Sequence, residues 1–164
     1  YGTKLKSLEV LTDFPWIEEL RLYRTKISDF TGLETLPKLR TLFFNGTNED
    51  RFDFLQKLPR LTHLTIMRAP KLERFPELSS AHEMQYLCLN TCKRLAEMSS
   101  IANLQHLQAL DILETAWQEP SDFEDLLAAT AAKYVRVQFG TRGRNEDFDK
   151  RLEHHGKQRH PPGG

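Results

Sequence analysis

The sequence has few cysteines, no net charge and no long apolar run. Its 164 residues include two cysteines, Cys88 and Cys92, which are too few for a disulfide framework. Lys and Arg together number 23, as do Asp and Glu, so the chain lacks the positive charge typical of a nucleic-acid binder. No apolar stretch approaches the roughly 20 residues of a membrane-spanning helix. We therefore predict a soluble domain in a reducing compartment, with neither nucleic acid nor a membrane as partner.

Motifs for catalysis and for metal or cofactor binding are weak. The three histidines beyond residue 150 match no spacing of a structural zinc site. No glycine-rich phosphate loop opens a helix. His63 and Cys88 are the one pair that resembles an activated thiol, but a third orienting group and an oxyanion site are not evident. Solvated polar residues are the favoured interpretation, and we predict no catalytic residues, no metal and no cofactor.

What the sequence does contain is an internal repeat. Ile17, Leu39, Leu61, Met84 and Leu107 each open the same pattern, which is one apolar residue, two variable, one apolar, one variable and one apolar. The second and third apolar columns are Leu20, Leu42, Leu64, Leu87 and Leu110, and Leu22, Phe44, Ile66, Leu89 and Ile112. Before most of these starts, apolar residues recur three positions apart, which favours a 3₁₀ turn over a strand. Each unit of 22 or 23 residues thus predicts a short strand, a loop and a tight helical return.

The stretch from Lys26 to Leu42 resembles the 22-residue leucine-rich repeat of internalin-type bacterial proteins, and the likeness covers roughly residues 3–118. The positions where that repeat has Asn or Cys carry the small residues Thr25, Thr47, Ala69, Cys92 and Thr115. The resemblance implies an α/β fold, a leucine-rich-repeat solenoid. Such a solenoid is a curved horseshoe with a parallel β-sheet on its concave face and short 3₁₀ or α segments on its convex face. Glu49 and Ala81 depart from the pattern, and we expect them to loosen their turns.

Both ends of the repeat array differ from its middle. At the front, the return half Leu5 to Phe14 has no strand half, so either more chain precedes it or Tyr1 to Lys4 shield that edge. At the back, Ser121 and Glu124 form a capping box that predicts a closing helix over 122–133.

The closing helix is followed by an alternating stretch that predicts a last strand over 134–139. Beyond it the chain has no apolar periodicity. We therefore predict a leucine-rich-repeat domain of about five repeats over 1–139 and a polar, flexible tail over 140–164.

Alternation within the strands predicts the binding face. Because the anchors point inward, the intervening residues face the concave side. The central column of that face is Arg21, Phe43, Thr65, Cys88, Asp111 and Arg136. On one side of it lie Tyr23, Asn45, Met67, Asn90, Leu113 and Gln138, and on the other Glu19, Thr41, His63, Tyr86, Ala109 and Tyr134.

Aromatic residues and Arg dominate the binding free energy of protein interfaces, and the concave face is rich in both. We expect Tyr23, Phe43, Met67, Tyr86 and Leu113 to form an apolar cluster flanked by Arg21, Arg24, Arg40 and Arg68. The alternative is that the aromatic residues merely suit a strand. The predicted partner-binding residues are Arg21, Tyr23, Phe43, His63, Met67, Arg68, Tyr86 and Leu113.

These features predict a noncatalytic, monomeric module that binds one protein partner in its concave face. A bacterial adaptor, a toxin-neutralising protein and an effector all fit, in the cytoplasm or, for an effector, after secretion. The alternative is that the chain is the substrate-recognition region of a larger enzyme, such as an effector-type ubiquitin ligase whose catalytic domain lies outside it. A purely structural scaffold is a third reading, in which the concave face would tolerate alanine freely.

Overall fold

Residues 6–24, 26–27, 29–79, 82–117 and 119–160 are described by the computed structural model. The expectations for Leu5, Thr25 and Ala81, and for shielding of the first edge by Tyr1 to Lys4, lie outside these residues.

Seven parallel strands form one sheet in chain order. They are β1 (Glu19–Tyr23), β2 (Thr41–Asn45), β3 (His63–Met67), β4 (Tyr86–Asn90), β5 (Ala109–Leu113), β6 (Tyr134–Gln138) and β7 (Gln158–Arg159). Corresponding repeat positions lie opposite one another on neighbouring strands, as Leu42, Leu64 and Leu87 do. The register confirms the second and third apolar columns and the three columns of intervening residues predicted for the concave face.

The inward side of the sheet packs on one continuous core. Thirteen of the fifteen anchor side chains are buried, and burial of each stabilises the fold by about 1.5 to 3 kcal/mol. The other two, Ile17 and Leu20, are half-buried because Ile17 lies just before β1 and Leu20 lies within it, and β1 is the edge strand of the described sheet. The predicted 3₁₀ returns are present at Glu9–Asp13, Thr31–Thr35, Asp53–Lys57 and Ser99–Asn103.

A left-handed residue ends each of the first five strands. The residues are Arg24, Gly46, Arg68, Thr91 and Glu114, and their φ angles lie between 49° and 81°. Only Gly46 adopts this conformation without a steric cost to Cβ. The shared turn leads the chain off the sheet at the same level in each unit, and it sets the side chains of Arg24 and Arg68 at one rim of the sheet.

The closing helix is shorter than predicted. The chain enters it through a 3₁₀ turn at Pro120–Phe123, and α1 spans Glu124–Ala129. The backbone N–H of Glu119 donates to the Asp122 carboxylate at 3.0 Å, so the cap precedes the predicted Ser121 box. No helix within the described residues is long and apolar enough to cross a bilayer.

The prediction of a flexible tail from residue 140 is wrong as far as residue 160. This segment forms α2 (Arg142–His154) and then β7, which adds to the edge of β6. Phe148 and Leu152 of α2 are buried in the common core. These are the two apolar residues among the 25 of segment 140–164, too few to form a periodic pattern. They are nevertheless enough to cover the last repeat. The packed domain therefore continues through β7.

His82 is a buried histidine whose ring nitrogens have no hydrogen-bond partner within the described residues. Burial lowers the pKa of His82 from the ordinary value of 6.5. The neighbouring Leu55 backbone and the charge of Glu83 act to raise this pKa, but the effect of burial is larger. The unfolded chain therefore binds a proton at this site more readily than the folded chain does, and stability is lost as the pH falls through 6.5.

We expect His82→Leu to be more stable than the parent chain, by a margin that grows between pH 7.5 and 5 with a slope of at most about 1.4 kcal/mol per pH unit. Urea unfolding at several pH values measures this margin. His106→Leu, at an exposed histidine, is the matched control and should show no such growth. If the stability difference between His82→Leu and the parent chain did not change with pH, the conclusion that burial lowers the pKa of His82 would be refuted.

Candidate partner-binding face

The face of the sheet turned away from the core, here called the sheet face, carries all eight residues predicted to bind a partner. Arg21, Tyr23 and Arg68 are exposed, as is His63. The others, Phe43, Met67, Tyr86 and Leu113, are half-buried. The sheet face divides into an open half on β1 to β3 and a closed half on β4 to β7.

The open half presents an aromatic pair. The rings of Tyr23 and Phe43 lie 5.3 Å apart between centroids, within the range of favourable aromatic contacts. The guanidinium carbon of Arg21 lies 5.6 Å from the centroid of Phe43, in cation–π contact. Tyr23 keeps 55% of its surface in water. Flat rings held by neighbouring side chains lose little conformational entropy when a partner covers them.

The margins of the open half are polar and mainly basic. Arg24 and Arg68 follow β1 and β3 at the left-handed positions, and both are exposed. Arg68 donates to the side-chain oxygen of Asn45 at 3.4 Å. Glu19, which forms an ion pair with Arg21, is the carboxylate in the same strands.

The predicted single apolar cluster is wrong. Tyr23, Met67 and Leu113 lie in one column, but Asn45 and Asn90 separate them in the strand register. Tyr86 lies two columns away, where its hydroxyl donates to Asp111 at 3.0 Å. The apolar surface is therefore concentrated at the Tyr23 and Phe43 pair. Arg40, predicted to flank the cluster, forms an ion pair with Glu83 at 2.6 Å.

The closed half centres on a buried carboxylate. Asp111 has no exposed surface, although alternation places it on the sheet face. One carboxylate oxygen accepts from Tyr86 and from the guanidinium of Arg136, and the other lies 2.9 Å from Nδ1 of His160. Cys88 and Ala109, its neighbours on the sheet face, are buried as well.

His160 is the residue of this network that the sequence analysis missed. It follows β7, and its backbone N–H donates to the carbonyl of Val135 at 3.1 Å. Its ring extends over the sheet face to within 5.9 Å of the Tyr86 ring and 6.4 Å of the Tyr134 ring. The segment after residue 140 has no apolar periodicity, so the sequence did not indicate a seventh strand. The expectation that Asp111, Cys88 and Ala109 are exposed on the concave face is wrong.

The Cys88 thiol is not activated. Burial, followed by the charge of Asp111, raises the pKa of Cys88 to about 11, so the thiol stays protonated at neutral pH. The Nδ1 atom of His63 contacts the Thr62 hydroxyl at 2.9 Å, and among the described residues no hydrogen bond joins His63 to Cys88. This geometry does not provide the thiolate that nucleophilic catalysis requires.

The described residues also contain no group of three or more His, Cys, Asp or Glu side chains placed to hold a metal ion.

A cavity of about 290 Å³ lies where the two halves meet. It is lined by His63, Gln85, Tyr86, Gln108, Ala109 and His160. Ala109 stands in the register between Tyr86 and Tyr134, and its small side chain leaves the gap between the two larger ones.

Comparisons with known proteins bear on the fold. No protein-family model matches the sequence, and no curated protein matches it. A leucine-rich-repeat protein of Leptospira interrogans is similar in structure with a TM-score of 0.55 and 16% identity, over 93% of this chain and 33% of that chain. An internalin (inlF) of Listeria monocytogenes gives a TM-score of 0.43 and 19% identity, over 87% of this chain and 47% of that chain. An internalin C2 of the same species gives 0.41 and 15%, over 84% and 78%.

The similarity to the Leptospira protein and the seven-stranded parallel sheet establish that the chain has the leucine-rich-repeat fold predicted from its repeat. The chain spans about a third of the length of the Leptospira protein and about half of the first internalin.

Proposed function

We propose that this leucine-rich-repeat chain is a noncatalytic module that binds one protein partner on its sheet face, with the open half as the centre of contact. The observation that carries the proposal is the pair of contacting rings of Tyr23 and Phe43, with Arg21 in cation–π contact with Phe43, on the solvent side of β1 and β2. Packing of the core does not require these side chains, because the core lies on the opposite side of the sheet.

The charges of the open half favour a partner surface with carboxylates around an apolar centre. Arg24 and Arg68 are exposed at one rim, and the one carboxylate of these strands, Glu19, is already paired with Arg21. Rim charges of this kind mainly increase the association rate and are screened by salt. Partner binding should therefore slow as ionic strength rises. Binding through this surface is compatible with an adaptor, a toxin-neutralising protein or a secreted effector.

The triple variant Tyr23→Ala, Phe43→Ala, Met67→Ala tests the proposal. We expect it to capture at least about tenfold less of the partner, because truncating even one interface anchor costs 1 to 2 kcal/mol or more. The measurement is a pull-down with the partner identified and quantified by mass spectrometry. Tyr86 is left intact, since its removal would disturb buried Asp111.

The matched control is Val10→Ala, Phe14→Ala, Trp16→Ala, which also truncates three apolar side chains, all of them exposed and outside the sheet. It should capture the partner as well as the parent chain, and both triple variants should keep a cooperative thermal transition. Undiminished capture by the sheet-face variant, or equal loss in both variants, would count against the proposal.

A further inference from the structure

The cavity between the open and closed halves has the size of a site for one side chain. Its volume of about 290 Å³ lies at the lower limit of sites for small molecules, which occupy roughly 300 to 1,000 Å³. A partner centred on the open half also reaches it. Neighbouring strands lie about 5 Å apart, whereas a specific interface covers about 800 Å² on each partner. His63, on β3, borders both the open half and the cavity.

The lining favours an uncharged occupant. None of the six lining residues is Lys, Arg, Asp or Glu. The nearest carboxylate, Asp111, is fully buried and engaged by Arg136, Tyr86 and His160. A charged side chain would lose water in the cavity without gaining an ion pair, which is costly.

The walls of the cavity are aromatic, and its rim is polar. The His63 and His160 rings lie 6.0 Å and 5.9 Å from the Tyr86 ring between centroids, and the Ala109 methyl group forms the floor between Tyr86 and Tyr134. A planar ring over this floor would make edge or offset contacts with rings on both sides. At the rim, Gln85 and Gln108 are exposed, and no side-chain hydrogen bond within the described ranges engages their amides.

We infer that this cavity binds a tyrosine side chain of the protein partner, with its ring above Ala109 and its hydroxyl at the amides of Gln85 and Gln108. The inference rests on the proposed function for the source of the side chain. It assigns the closed half a second anchor, separate from the Tyr23 and Phe43 pair.

The test uses p-cresol, which is the tyrosine side chain alone, and NMR of the chain with labelled alanine and methionine methyl groups and labelled histidine rings. Stacking over Ala109 should give a saturable upfield ring-current shift of that methyl signal. The comparison compound is 4-methylcyclohexanol, which has a similar outline but no aromatic ring, and it should bind roughly tenfold more weakly. The Met67 methyl group, on the open half, reports contact outside the cavity.

The variant Ala109→Leu fills the cavity from its floor and should abolish the p-cresol shifts of the His63 and His160 ring protons, while the strand amide signals confirm the fold. It should also reduce partner capture several-fold. No saturable shift at Ala109, equal affinity for the two compounds, or unchanged binding in Ala109→Leu would overturn the inference. Because p-cresol needs no partner, this result does not depend on the triple variant that tests the proposed function.

Discussion

Asp111→Ala is expected to lower the free energy of unfolding by about 3 kcal/mol, although the residue lies on the side of the sheet that faces away from the core. The substitution removes the common partner of Tyr86, Arg136 and His160 and leaves a guanidinium largely enclosed without its counter-charge. We place the cost at the lower end of the range for buried ion pairs, because the Arg136 side chain keeps 21% of its surface in water. Urea unfolding at pH 7 measures it.

The matched control for Asp111→Ala is Glu19→Ala, which also removes the carboxylate of an ion pair with Arg on the sheet face. The Glu19 and Arg21 side chains are both about half exposed, so we expect the unfolding midpoint to stay almost unchanged. Asp111→Ala should also expose the end of β7 to limited proteolysis, since His160 loses its contact with the carboxylate. Equal midpoints for the two variants would contradict the buried network.

Leu64→Ala is expected to lower the free energy of unfolding by about 2 to 5 kcal/mol. Leu64 is fully buried at the centre of the second anchor column, between Leu42 and Leu87 of the neighbouring strands. Its truncation opens a cavity between stacked repeats, which cannot close without shifting the strands. The measurement is equilibrium unfolding in urea.

Thr65→Ala is the control for Leu64→Ala, because the next residue along β3 faces the opposite side of the sheet. It should cost less than about 1 kcal/mol, the span of strand propensity in a host protein. If Leu64→Ala left the free energy of unfolding unchanged, the anchor side chains would not be what stabilises the stacking of the units.

The repeat determined most of the fold in advance because each unit buries the same positions. A column such as Leu42, Leu64 and Leu87 is apolar only if the units stack in register, so the spacing predicted five strands and their alignment. Alternation after the closing helix predicted the sixth strand. The unit between β3 and β4 keeps this rule although its described residues, 68–79 and 82–85, form no 3₁₀ return. Its residues Leu72, Phe75 and Leu78 are buried, and Arg74 forms an isolated parallel bridge with Glu97.

The end of the chain and half of the sheet face were not predictable in the same way. Phe148 and Leu152 are too few to form a period, and the position of β7 depends on α2 packing against Phe123 and Phe139. Alternation predicts which side of the sheet Asp111 occupies. It does not predict that the His160 side chain lies over the same side and contacts Asp111. The sequence signal that was overlooked is Asp111, the one acidic residue in its strand column, with Arg136 at the same position of the next strand.

A photo-crosslinker at position 43 gives the most direct test of the proposed binding face. The chain with p-benzoylphenylalanine in place of Phe43 should form a covalent product with the partner, and unlabelled parent chain should suppress that product. The triple variant Tyr23→Ala, Phe43→Ala, Met67→Ala should not suppress it. The same group in place of Phe14, exposed outside the sheet, should give no product. A product from position 14 and none from position 43 would contradict binding on the sheet face.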